Sequence, residues 1–188
     1  MLYAKTCTLV CLILVGTVSI LSQTTARYPV DKTVIKDFEN RAKAYVTLRD
    51  RVKKETPVVK KDATPAEVEA YKDTLQKAIQ AARATAQQGD IFTPEATAFV
   101  KTRIKTGLAG FEKSEIRASV LEADTKGVPI KVNAIYPESK ELVQMSPTLL
   151  LSLPQLPQDL RYRFIGRSLA IMDRDSSLII DYMREALP

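Results

Sequence analysis

The sequence predicts an α+β fold in which three to four N-terminal helices pack on a small C-terminal antiparallel sheet. Apolar residues recur at three- and four-residue intervals through most of the first two thirds of the chain, which is typical of amphipathic helices. Towards the C-terminus they alternate with polar residues, which is typical of half-buried strands. A chain of 188 residues suffices for one domain of ordinary size. We therefore expect a single domain over 27–188, helical over 30–122 and sheet-forming over 127–188.

Residues 1–26 have the pattern of a secretory signal peptide. Lys5 precedes an apolar stretch over residues 7–21, and small residues at 24–26 suit cleavage by a signal peptidase. We expect cleavage near residue 26 and a location in the periplasm or outside the cell. The alternative is an uncleaved single-pass membrane anchor that displays the domain outside.

Both cysteines, Cys7 and Cys11, lie inside this N-terminal segment, and the chain contains no histidine. After cleavage the chain would have neither a thiol nor an imidazole. This excludes disulfides, catalysis by Cys or His, and His/Cys sites for zinc, copper or nickel. No metal or other cofactor is expected. The formal charge is +6, but 22 acidic residues are interspersed with 28 basic ones, which argues against nucleic-acid binding.

Helix signals occur in five stretches of the chain. The first has a long apolar stripe, the second opens with the capping box Thr64 to Glu67, and the third follows the Thr93-Pro94 cap. The fourth is a short helix, or a helix that turns into a strand, and the fifth is capped by Ser146. The predicted ranges are 30–55, 64–89, 93–110, 113–121 and 148–153.

Strand signals dominate the last third of the chain. Residues 128–136 suggest a strand, with a hairpin partner over 142–145. Residues 160–183 hold three short alternating segments, which predict a three-stranded meander with one face against the core. A two-residue turn at Gly166-Arg167 and a polar connection over 173–177 separate them. The residues expected to share a face are Tyr162 with Phe164, Leu169 with Ile171, and Leu178 with Ile180 and Tyr182.

Two groups of basic residues are candidate anion-binding sites. If Tyr162 and Phe164 face the core, the first group covers the opposite face of that strand and the adjoining turn, where guanidinium groups could bind a carboxylate or phosphate bidentately. The second lies near the end of the first helix, next to Lys60 and Lys61. Each group also has an alternative explanation without ligand binding. The arginines of the first group could pair with acids such as Asp173 or Asp181, and the second group could be the solvated end of a helix. The candidates are Arg161, Arg163 and Arg167 in the first group, and Arg49, Arg51, Lys53 and Lys54 in the second.

Asp173, Asp175 and Asp181 are the best candidates in the sequence for a cluster of acidic residues. Oxygen ligands in one turn could hold a hard cation such as Ca²⁺. The segment lacks the spacing and the terminal glutamate of a calcium loop, and aspartates in turns commonly bond the local backbone. We therefore predict no metal site and no catalytic residue.

The sequence favours an exported, non-enzymatic envelope protein that acts by binding an anionic envelope component or another protein. Nucleic acid is not an expected partner, and a membrane is one only if the N-terminal segment is retained. A hydrolase or lyase that works through carboxylates is the alternative from a different class. A strongly raised carboxylate pKa inside a concave pocket would distinguish that enzyme from a binding protein.

Three segments, residues 37–57, 89–104 and 147–183, together resemble a group of uncharacterised secreted bacterial proteins that share this order of segments. The resemblance implies a secreted or periplasmic location and no particular activity. The closing segment is also similar to the C-terminal module of RcnB-type periplasmic proteins, which are linked to nickel and cobalt homeostasis. Because histidine is absent, we do not expect that metal role here. The matching residues are Leu156-Pro157, Arg161 to Arg163, Gly166, Leu169 to Asp173 and Leu178 to Asp181.

Overall fold

The computed structural model describes residues 27–108, 112–140 and 145–187. It has the predicted α+β layout, with helices followed by a small antiparallel sheet. None of the described helices is long and apolar enough to cross a membrane, and the predicted signal segment over 1–26 lies outside the described residues. The elements are α1 (Arg27–Glu55), α2 (Pro65–Ala82), α3 (Pro94–Gly107), α4 (Glu112–Glu122), α5 (Pro147–Ser152), β1 (Leu160–Ile165), β2 (Ser168–Asp173) and β3 (Ile179–Met183).

The helix starts follow the predicted caps. The Thr64 hydroxyl accepts a hydrogen bond from the Glu67 N–H, and the Glu67 carboxylate accepts one from the Thr64 N–H, so the capping box is complete. The hydroxyls of Thr93 and Ser146 accept the backbone N–H groups of Ala96 and Leu149 and so cap α3 and α5. The predicted end of the second helix was wrong: α2 stops at Ala82, and residues 83–92 form a looped segment that is tied to β3.

The three-stranded meander is confirmed, with the order β1-β2-β3 and both pairs antiparallel. Ile165 pairs with Ser168 across the two-residue turn at Gly166-Arg167, as predicted. Gly166 has a φ of +51°, a conformation that costs glycine little and other residues more. This turn fixes the register of the whole β1–β2 hairpin.

The expectation that only one face of the sheet is buried was wrong, because β2 and β3 are covered on both faces. A β-bulge also changes the predicted alternation in β3. Ile171 pairs with Asp181 while the next residue, Met172, pairs with Ile179, so Ile180 is the extra residue. The bulge moves Tyr182 to the outer face and turns Asp181 towards the helices.

The strand predicted over residues 128–136 was wrong. The segment runs through turns, with Asn133 at a φ of 63°, and only Ile135 forms a bridge, with Leu178. Its apolar side chains cover the outer face of the sheet instead of extending it. Most of the predicted hairpin partner, residues 142–145, lies outside the described residues. The outer core contains Val128, Val132, Tyr136, Ile165, Ala170, Met172, Ile179 and Tyr182.

The main core lies between the inner face of the sheet and the helices. α1 contacts both α2 and α3, and α3 contacts α5. Phe38 of α1 stands at its centre, with ring centroids 5.5 Å from Phe92 and 6.4 Å from Tyr162. Tyr162 and Phe164 face this core, as predicted from the alternation in β1. The position of β1 therefore determines where its arginines point.

Candidate functional site

Arg49, a predicted anion-binding residue, lies inside the protein with 2% of its surface exposed. Its Nε is 2.8 Å from Oδ2 of Asp173, and its terminal nitrogens contact further carboxylates. Burial lowers the pKa of Arg49, but the neighbouring carboxylates, chiefly Asp173 and Asp175, outweigh it and raise that pKa. The charge of Arg49 is thus matched by the chain itself. The other carboxylates within 4 Å belong to Asp50, Asp159 and Asp175.

The Asp173 carboxylate at the end of β2 is fully buried and has four contacts. Its Oδ2 pairs with Arg49 and accepts a hydrogen bond of 2.8 Å from the Tyr45 hydroxyl. Its Oδ1 accepts the backbone N–H groups of Asp175 and Ser176, which holds the β2–β3 connection in shape. Burial, with Asp173 alongside, raises the pKa of Tyr45. This arrangement joins α1 to the sheet and leaves Asp173 no free position for a ligand.

Asp181 of β3 is the second fully buried carboxylate. Its carboxylate accepts hydrogen bonds from the backbone N–H groups of Gly89, Ile91 and Phe92 at 2.7 to 2.9 Å. It also accepts one from the N–H of the next residue, Tyr182. Burial raises the pKa of Asp181. The four hydrogen bonds lower that pKa, but less than burial raises it. The β3 bulge aims this carboxylate at the looped segment before α3, so Asp181 holds that segment against the sheet.

Arg161 and Arg163 lie on the outer face of β1, where their pairing partners Met172 and Ala170 belong to the outer core. Arg174 follows β2 and continues the ladder, because its N–H bonds the carbonyl of Asp159 at 2.9 Å. The three arginines therefore stand on one face of the hairpin. They line an open hollow of about 300 Å³, here called the arginine groove. Its remaining lining residues are Leu150, Pro154, Gln155, Leu156, Leu160 and Tyr162.

The arginines of the groove form no ion pair within the described part of the chain, although the Asp173 carboxylate attracts Arg161 from beyond 4 Å. None of the ion pairs formed among the described residues includes Arg161, Arg163 or Arg174. The Nε atoms of Arg161 and Arg163 are buried without a hydrogen-bond partner in that part of the chain. Burial lowers the pKa of Arg163, and the positive charges of Arg161 and Arg174 lower it further. An anion in the groove would relieve this repulsion.

The guanidinium groups of the groove donate few hydrogen bonds within the described part of the chain. Arg163 gives one N–H to the carbonyl of Tyr162 at 3.1 Å, and Arg174 gives its Nε–H to the carbonyl of Leu160 at 3.3 Å. Each guanidinium has five N–H groups, so these bonds orient the side chains without using up their donors. Arg161 and Arg163 are half-buried and Arg174 is exposed, which leaves the groove open to solvent.

The other predicted site residues do not join this groove. Arg51 and Lys54 are exposed at the end of α1. Lys53 bonds the Asp175 carboxylate at 2.8 Å, beside the Arg49 cluster. Arg167, in the β1–β2 turn, pairs with Glu185 at 2.8 Å and donates to the carbonyl of Leu187. The seven predicted residues are thus spread over separate surfaces. A role in anion binding stays a prediction for the exposed ones.

Arg174 was missed by sequence reasoning, although a signal for it exists. A two-residue turn at Gly166-Arg167 sets the pairing of Arg161 with Met172. Because side chains alternate between the two faces of a strand, Arg174 lies on the same face as Met172 and therefore as Arg161. The apolar wall at Leu150 and Leu156 had no such signal, because it depends on how the segment after α5 returns to the sheet.

None of the three hollows described among these residues is lined by more than one carboxylate. Asp181 has the raised pKa, yet it is fully buried and lines none of three open hollows on the described surface. Glu67 and Glu39 line two of these hollows, whose other side chains are mainly apolar or hydroxyl groups with Lys60 in the first and Arg103 in the second. Within the described residues no group of three or more acidic or cysteine side chains is arranged to hold a metal ion.

Comparisons of the chain with models of protein families, with curated proteins and with solved structures found no match in any of the three. The family resemblances inferred from the sequence therefore stay predictions. The site must be interpreted from its own chemistry.

Proposed function

We propose that this chain is an exported, non-enzymatic binding protein that holds an anionic group in the arginine groove. The observation that carries the proposal is the position of Arg161, Arg163 and Arg174 on one face of the hairpin, without a carboxylate partner among the described residues. Guanidinium groups suit carboxylate and phosphate because their planar forks donate two parallel hydrogen bonds. Export rests on the signal-like pattern of residues 1–26.

The contrast with Arg49 supports the choice of this groove over the basic end of α1. Arg49 is surrounded by carboxylates, and Lys53 pairs with one of them. An incoming anion there would have to displace internal partners and enter a region of negative charge. At the arginine groove it would meet three cations and partly desolvated guanidinium groups, for which the electrostatic attraction is stronger than on an open surface.

The test is calorimetric titration of the protein with phenyl phosphate and with benzoate at low and high NaCl. The groove variant carries Arg161→Gln, Arg163→Gln and Arg174→Gln. A matched control carries Arg51→Gln, Lys54→Gln and Lys60→Gln, which removes the same number of charges from exposed positions. We expect the groove variant to lose binding, the control to keep it, and NaCl to weaken it. Equal losses in both variants would mean that only net charge matters and would overturn the proposal.

A single conservative replacement guards against a folding defect in the groove variant. Arg163→Lys keeps the positive charge and the long side chain but lacks the planar fork. We expect this variant to unfold at nearly the same temperature as the parent protein and to bind phenyl phosphate about tenfold more weakly, the usual effect of one lost charge-assisted hydrogen bond. Unchanged affinity would show that the guanidinium geometry has no role.

A further inference from the structure

We infer that the anion held in the arginine groove is the phosphate of an ester whose organic part is small and apolar. This inference rests on the proposed function and specifies its ligand. Three features of the groove carry it: the number of positive charges, the number of available donors, and the apolar wall that faces them.

The charge of the groove matches a phosphate monoester better than a carboxylate. Arg161, Arg163 and Arg174 together bring three positive charges, and no described carboxylate within 4 Å offsets them. A phosphate monoester carries about −1.5 to −2 at neutral pH, whereas a carboxylate carries a single charge. The larger charge gains more from three neighbouring cations, one of which is exposed and two half-buried.

The three guanidinium groups of the groove also match three acceptor oxygens better than two. The side chains of Arg163 and Arg174 each give one N–H to a backbone carbonyl, which fixes their orientation. Because the Nε atoms of Arg161 and Arg163 are buried, the terminal N–H groups of these two side chains are the donors that face an anion. A carboxylate offers two oxygens, and a phosphate monoester offers three strong acceptor oxygens. Three guanidinium groups can therefore each bind a different oxygen of one phosphate, whereas on a carboxylate two of them must share an oxygen, as the N–H groups of Ile91 and Phe92 share Oδ2 of Asp181.

The apolar wall specifies the organic part. Leu150 is 43% exposed on α5, and Leu156 and Pro154 continue the wall along the segment that returns to β1. Contact with an alkyl or aromatic group would remove these side chains from water. The volume of about 300 Å³ stands at the lower end of small-molecule sites, so the groove suits a headgroup with a short apolar portion.

The experiment compares three probes on the full chain by calorimetry: hexyl phosphate, inorganic phosphate and hexanoate. We expect hexyl phosphate to bind about tenfold more tightly than either of the others. Leu150→Gln, at a partly exposed position, should weaken the binding of hexyl phosphate several-fold and leave the affinity for inorganic phosphate unchanged. Arg161→Gln with Arg163→Gln should weaken both phosphate probes. Thr148→Gln, at an exposed position of α5 outside the groove lining, is the control for Leu150→Gln.

The outcomes separate this inference from the proposed function. If hexanoate binds as tightly as hexyl phosphate and both depend on Arg161 and Arg163, the groove binds anions but the phosphate assignment is overturned. If hexyl phosphate and inorganic phosphate bind equally, the apolar part is overturned. If no probe depends on the arginines, both the inference and the proposed function are overturned.

A phosphate ester could be a free metabolite or the headgroup of a lipid. Co-sedimentation with phosphatidylcholine vesicles, with and without phosphatidic acid, distinguishes these sources. Binding to the vesicles that contain phosphatidic acid, lost when Arg161 and Arg163 are replaced, would assign the ester to a membrane lipid. Binding of hexyl phosphate without vesicle binding would assign it to a soluble ester. Either result supports a phosphate ester as the ligand. If the protein binds neither hexyl phosphate nor the vesicles that contain phosphatidic acid, the inference is overturned.

Discussion

The Nε of Arg49 lies 2.8 Å from Oδ2 of Asp173. The Arg49 side chain is 3% exposed to solvent, and the Asp173 side chain is fully buried. This ion pair connects the middle of α1 to the end of β2, residues far apart in the chain. It explains why Arg49, in the densest basic stretch of the sequence, is not part of a free cationic surface. Removing water from both charges costs free energy, which their attraction and the further hydrogen bonds to Asp173 must offset.

Replacing Asp173 by Asn should destabilise the fold, because it removes the fully buried carboxylate that pairs with Arg49 and leaves only partly exposed carboxylates around that charge. We expect the free energy of unfolding to fall by about 3 kcal/mol. Asp50→Asn is the matched control, since Asp50 also contacts Arg49 but its side chain is 53% exposed. That change should cost about 0.5 kcal/mol or less. Urea unfolding measures both, and equal effects would contradict a dominant buried pair.

The stability contributed by Asp175 should depend on acidity. Burial raises the pKa of this carboxyl, but the hydrogen bond from Lys53 and the charge of Arg49 outweigh it and lower that pKa below its ordinary value of 3.8. The unfolded chain therefore binds the proton more readily. The contribution is fully present above pH 3.8 and is lost as the pH falls through the folded-state pKa.

The measurement is the free energy of unfolding of the parent protein and of Asp175→Asn over a series of pH values. At neutral pH the parent should be more stable by about 1 kcal/mol or less, because the Asp175 side chain is 44% exposed. The difference should shrink as the solution is acidified. A difference that grows at acidic pH would contradict the lowered pKa.

Asp181→Asn should loosen the looped segment before α3. An amide presents its NH₂ group to donors that now bond a carboxylate oxygen, so at least one backbone N–H would lose its acceptor, at a cost of about 2 kcal/mol. Hydrogen exchange should accelerate most at the amides of Gly89, Ile91 and Phe92. Asp90→Asn, at an exposed position of the same segment, should leave the exchange of Ile91 and Phe92 unchanged. Uniform acceleration across the protein would argue against a local role.

The β1–β2 turn should tolerate Asn better than Ala at Gly166. No neighbouring atom lies within 4 Å of a Cβ placed there, so the cost comes from the φ of +51° alone. Gly166→Ala should lower the free energy of unfolding by about 1 kcal/mol, and Gly166→Asn by less, because Asn adopts this conformation more readily. Thermal unfolding of the two variants distinguishes these effects. Equal losses would mean that the turn relaxes to a negative φ.

The sequence was most informative where one local signal determines one structure. Capping residues predicted the starts of α2, α3 and α5, and Gly166 predicted the hairpin turn. Alternation placed Tyr162 and Phe164 inwards and, by period two, Arg161 and Arg163 outwards. These predictions succeeded because the deciding interactions lie within a few residues of one another.

The features that were not predictable depend on contacts between distant segments. Residues 128–136 look like a strand because they are apolar at alternate positions, yet they cover the sheet through turns. The bulge at Ile180 reverses the direction of Asp181, and no local pattern marks it. Arg49 looked exposed because its sequence neighbours are charged, whereas the carboxylates that neutralise it include three from the C-terminal part of the chain.

The most direct test of an anion site in the arginine groove is a nuclear magnetic resonance titration of the arginine Nε–H signals with phenyl phosphate. Arg161 and Arg163 have buried Nε atoms, so their signals should be protected from exchange with water and resolved. We predict that both shift with one midpoint while the signal of Arg49, paired inside the protein, stays in place. Unchanged signals at Arg161 and Arg163, or equal shifts at every exposed arginine, would contradict an anion site in the groove.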